Sequence, residues 1–95
     1  MKITREQIES VLKEAPEEPL HNGKTRYANI GPFHFRLAWF PDREFGVVGV
    51  VAIDRTRISF TTECRIEKEA LTVMYEWVNH LQADVLQEVV DYLRS

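Results

Sequence analysis

The sequence predicts an α+β domain in which an N-terminal helix and a C-terminal helix or helix pair cover an antiparallel meander of three or four strands. Two observations carry this prediction. The hydrophobic period changes near residue 64: Phe33, Phe35, Leu37 and Trp39 alternate with His34, Arg36 and Ala38, whereas Ala70, Met74, Trp77, Leu81, Val85 and Val89 recur at helical spacing. Short turn signals also separate the strand-like runs, which suits hairpin connections. The 95 residues are 44% hydrophobic and 11% aromatic, enough for one domain, 1–95, with a core that needs neither metal nor disulfide.

The elements follow in order. Thr4-Arg5-Glu6-Gln7 matches a capping box, with Ile3 and Ile8 placed as a hydrophobic staple, so a helix begins here. Its apolar stripe is Ile8, Val11, Leu12 and Ala15, and it ends before Pro16, which disfavours a helical Ala15. Residues 17–23 read as a connector, with turn chemistry at His21-Asn22-Gly23. A first strand is expected over 24–30 until Gly31-Pro32 breaks it, and a second over Phe33–Phe40 until Pro41-Asp42-Arg43-Glu44 turns the chain. A third is expected over Phe45–Ile53. Phe45, Val47, Val51 and Ile53 give it one apolar face and Val48, Val50 and Ala52 another, so it reads as central and covered on both sides. Asp54-Arg55-Thr56 leads to a fourth strand over Arg57–Thr62 presenting Ile58 and Phe60. From Ile66 onward the pattern is helical. One unbroken helix would run about 43 Å at 1.5 Å per residue. Asp84-Val85-Leu86-Gln87 resembles a second capping box, which favours one helix ending near Leu81 and another over Val85–Leu93.

A single cysteine, Cys64, excludes an internal disulfide and fits a reducing compartment. The first residues lack an apolar signal core, and no run approaches the ~20 apolar residues of a membrane-spanning helix. A cytoplasmic protein without membrane association is the expectation. The net charge of −3 is unevenly spread: residues 1–19 carry −2, residues 20–65 carry +3 and residues 66–95 carry −4. The sheet is therefore basic and the helices acidic, an arrangement that internal complementarity and solvated helix faces explain.

No assembled catalytic, metal or phosphate-binding motif is present. His21, His34 and His80 lack metal-ligand spacing, Gly46 and Gly49 mark a bulge or close packing within a strand, and Glu67, Glu69 and Glu76 suit a solvated helix face. No cofactor is implied. Cys64 precedes a helix start and a neighbouring Arg65, conditions that lower a thiol pKa, but no catalytic loop surrounds it and a structural thiol is the simpler reading. The cluster that suits binding is His34, Arg36, Phe40, Arg55 and Arg57 on the sheet. Arginine and aromatic residues anchor protein interfaces, and they also serve phosphates and bases. The acidic flanks oppose a polyanion and favour an acidic protein segment.

Arg57-Ile58-Ser59-Phe60-Thr61-Thr62, followed by Ile66-Glu67-Lys68-Glu69-Ala70-Leu71 and a long helix, resembles the strand-to-helix ending of YbjN-like and type III secretion chaperone-like proteins. The resemblance covers roughly the last 40 residues. It implies a small α+β domain concerned with protein interaction rather than chemistry, and it transfers no site residue. The expected function is a noncatalytic protein-binding module: an adaptor, a chaperone-like protein or a small inhibitor, with homo-oligomerisation through the same surface as one form. The alternatives are a nucleic-acid-binding protein using the arginine-bearing sheet and a small enzyme using Cys64.

Overall fold

The computed structural model describes residues 2–84 and residue 94; the chain is an α+β structure, and in residues 2–84 two helices lie against a five-stranded antiparallel sheet. Helix α1 (Arg5–Glu14) starts at the capping box: Gln7 N–H donates to Thr4 Oγ1 at 3.2 Å, and Thr4 N–H donates to Gln7 Oε1 at 2.8 Å. Ile3 and Ile8, on either side of the cap, are both buried, and Ala15 turns extended immediately before Pro16.

Five strands follow, one more than the sequence predicted at most: β1 (Glu18–Leu20), β2 (Gly23–Ile30), β3 (Phe33–Trp39), β4 (Val47–Ile53) and β5 (Ser59–Cys64). Each pairs antiparallel with the next, so spatial order equals chain order. The added strand is β1, read from the sequence as connector. It folds back on β2 through His21-Asn22, where Asn22 takes the positive φ of 65° that this tight hairpin needs. Pro19 is tolerated because β1 lies at the sheet edge. Strand β4 begins at Val47 rather than Phe45, and β5 at Ser59 rather than Arg57. Phe45 remains in the loop and is 46% exposed.

Helix α2 (Glu67–Asp84) buries Ala70, Leu71, Met74, Val78 and Leu81. It passes through Leu81 to Asp84, so the helix end expected near Leu81 is not there, because no proline or glycine interrupts the apolar stripe; the second helix expected over 85–93 lies outside the described residues. Helix α1 packs on β2 and β3, α2 packs on β4 and β5, and the two helices touch each other. Arg5 fastens them: its Nε donates to Thr72 Oγ1 at 3.3 Å and an Nη to the Lys68 carbonyl at 3.4 Å.

Both helices lie on one face of the sheet. That face presents Phe33, Phe35 and Leu37 from β3 and Val47, Gly49, Val51 and Ile53 from β4, all buried. Burying each large side chain contributes roughly 1.5–3 kcal/mol. Phe33 and Phe35 are completely enclosed, whereas Trp39, Phe60 and Trp77 border the core half-buried, with Phe60 and Trp77 rings 5.2 Å apart. The sequence predicted cover on both sides of β4, but among the described residues the opposite face has no helix over it, and Val48, Val50 and Ala52 there are half-buried.

Candidate functional site

Strand alternation and pairing register build the uncovered face row by row. The central row crosses four strands as Tyr27, Arg36, Val50 and Thr61. On one side lies Asn29, His34, Ala52 and Ser59; on the other lies Thr25, Ala38, Val48 and Glu63. The middle of the face is thus a half-buried apolar strip, Val48, Val50 and Ala52, with polar and aromatic groups along both sides.

Arg36 is held on this face by two neighbours, Thr25 and Tyr27. Its Nε donates to Thr25 Oγ1 at 3.2 Å, the buried Thr25 hydroxyl donates in turn to the Leu37 carbonyl at 3.1 Å, and the guanidinium lies 5.3 Å from the centre of the Tyr27 ring. The threonine fixes the root of the guanidinium and the ring fixes its plane. No carboxylate among the described residues forms an ion pair with Arg36.

His34 is held from both sides. Asn29 Oδ1 faces Nδ1 at 2.7 Å and Asp54 Oδ1 faces Nε2 at 3.2 Å. A neutral imidazole donates to one of these oxygens and a protonated one to both. Neither partner was identified from the sequence. Asn29 was readable, because a tight turn at Gly31-Pro32 places it opposite His34; Asp54 depends on the register between β3 and β4.

The five candidate residues do not form one cluster. His34 and Arg36 share the open face. Phe40 lies past the end of β3, its ring beside Gly23 and 4.2 Å from the Arg43 guanidinium. Arg55 occupies the turn beyond β4 at the other end of the sheet, with a φ of 58° and its Nε 4.0 Å from Asp54. Arg57 is exposed just before β5. The residues the sequence left out are Tyr27, which orients Arg36, and the strip Val48, Val50 and Ala52, whose alternation was visible but whose exposure was not.

Cys64 is a core residue, 8% exposed, at the end of β5. Its sulfur lies 3.5 Å from Thr62 Oγ1, its one hydrogen-bond partner among the described residues. The described residues contain no group of three or more histidine, cysteine or acidic side chains suited to a metal, and no helix among them is long and apolar enough to cross a membrane. No protein-family model matches the chain, and neither a curated protein nor a solved structure with significant similarity to it was found.

Proposed function

We propose that the chain is a noncatalytic protein-binding module that docks an acidic segment bearing apolar side chains on the open face of its sheet. The observation that carries this reading is the row Tyr27, Arg36 and Val50, in which a pre-oriented guanidinium with no carboxylate partner among the described residues borders an apolar strip. Such a surface satisfies a carboxylate and desolvates neighbouring methyl groups together, the combination that makes interface anchors. The resemblance of 57–71 to chaperone-like interaction domains points the same way. An adaptor, a chaperone-like protein and a small inhibitor all use such a surface.

Peptide display against the folded protein tests the proposal. Selected sequences are expected to combine Asp or Glu with aliphatic residues, and to lose binding to Arg36→Glu and Val50→Lys while circular dichroism shows both variants folded. Failure to select any ligand, or ligands indifferent to both substitutions, would overturn it. Light scattering separates the homo-oligomeric form, since a dimer built on this face dissociates in Val50→Lys. The nucleic-acid alternative has less support, because Arg36 and Arg55 do not share a row and Arg55 lies beside the Asp54 carboxylate. It predicts a steep loss of oligonucleotide affinity with rising salt.

A further inference from the structure

A separate feature lies where β2 begins, β3 ends and β4 begins: a cleft of about 630 Å³, within the size range of small-molecule sites. The loop from Phe40 to Gly46 shapes it. Phe40 N–H donates to the Gly46 carbonyl at 2.7 Å and Arg43 N–H to the Phe40 carbonyl at 3.0 Å, which folds the loop back on itself. Gly23 and Gly46 permit the close approach. A β-carbon at either would run into a backbone carbonyl oxygen, of Trp39 and Phe40 respectively.

The lining divides by chemistry. Trp39, Phe40, Pro41 and Val47 give apolar walls, and Lys24, Arg43 and Arg65 supply three cations with no carboxylate among the lining residues. Two cations are neutralised from outside, Lys24 by Glu17 at 3.1 Å and Arg65 by Glu44 at 2.9 Å. Arg43 has no ion-pair partner among the described residues, and its guanidinium is stacked 4.2 Å from the Phe40 ring centre. Lys24 lies 5.3 Å from the Trp39 ring centre. Rings that restrain the cations lower the entropy lost when an anion arrives, and apolar walls strengthen its attraction by excluding water.

We propose that this cleft binds a small amphipathic organic anion: an aromatic or aliphatic body against Trp39, Phe40 and Val47, and a phosphate or carboxylate head held by Arg43 with Lys24 and Arg65. An anion without an apolar body leaves the walls wet, and an apolar molecule without a charge leaves Arg43 unpaired. The ligand needs both parts.

Calorimetric titration with 1-naphthyl phosphate, 2-naphthoate, 1-naphthol and inorganic phosphate tests this, with amide chemical shifts locating the site. At least one naphthyl anion is expected to bind with shifts centred on Lys24, Phe40, Arg43 and Gly46, and comparison of the two identifies the preferred head group. Losing a charge-assisted hydrogen bond corresponds to a weakening of about tenfold or more, expected for Arg43→Gln and for 1-naphthol. Inorganic phosphate should be similarly weak. Arg65→Gln, also at an exposed position, provides a second variant expected to weaken the anion. Equal binding of 1-naphthol, shifts elsewhere, no binding of either anion at millimolar concentration, or indifference to both substitutions would overturn the proposal. Arg36→Glu is expected to leave naphthyl anion binding unchanged, which keeps this outcome independent of the sheet-face reading.

Discussion

Gly49 lies directly beneath Met74: a β-carbon added to the glycine would stand 2.7 Å from the methionine sulfur and 3.0 Å from its Cγ. Helix α2 therefore approaches β4 closely because one strand position has no side chain. Gly49→Ala should destabilise the fold by about 1–3 kcal/mol through overpacking. In a double-mutant cycle with Met74→Ala, the double variant should lose less than the sum of the two single losses, since removing the methionine makes room for the methyl group. Urea denaturation of the four proteins measures the coupling; strict additivity would show that the contact does not limit the approach.

The Thr25 hydroxyl links the core to the open face, accepting from Arg36 and donating to the Leu37 carbonyl while only 1% exposed. Thr25→Val keeps the shape and removes both bonds, so it should cost about 1–3 kcal/mol. Thr25→Ser retains the hydroxyl and should recover most of the polar contribution. A loss confined to Thr25→Ser would instead assign the role of Thr25 to its methyl group.

The Glu17 carboxyl is held below its ordinary pKa by hydrogen bonding to Lys24, then to Arg26, with the Arg26 contact at 2.9 Å. A carboxylate lowered on folding stabilises the protein fully above its unfolded-state pKa, and that contribution disappears as pH falls through the folded value. The melting temperature of Glu17→Gln should therefore vary less across the acid range than that of the parent. Because Glu17 is exposed, the difference should shrink in high salt. Parallel pH profiles would remove Glu17 as a source of acid sensitivity.

Cys64, enclosed beside Val47 and Thr62, should react with iodoacetamide more slowly in the folded protein than in urea. Burial limits reagent access to the sulfur. Faster alkylation of the folded form would instead support the enzyme alternative.

The capping box and helical stripe were legible because neighbouring residues determine them: Thr4 meets Gln7 within one turn, and Ala70, Met74 and Leu81 share a helical face. Strand β1 was not, since Glu18-Pro19-Leu20 is too short to show alternation and contains a residue that usually argues against a strand. The apolar character of both β4 faces suggested cover on each side. Among the described residues both helices instead dock on one face, held together by groups as distant in sequence as Arg5 and Thr72. The same distinction applies to the site. His34 and Arg36 were placed correctly on one strand face, but Arg55 and Phe40 lie at opposite sheet ends because register and loop geometry intervene.

The consecutive strand order has a consequence for how the molecule assembles. Every strand finds its partner in the next stretch of chain, so the sheet requires only short loop closures, whereas seating α1 beside α2 closes a loop from Arg5 to Thr72. The meander is expected to form first and the α1–α2 contact last. Arg5→Ala should then accelerate unfolding while leaving the refolding rate nearly unchanged, a partition that stopped-flow mixing resolves. On that ordering, the contact between α1 and α2 acts as a late latch on a sheet already formed, and the stability it contributes governs how long the native state persists rather than how quickly it is reached.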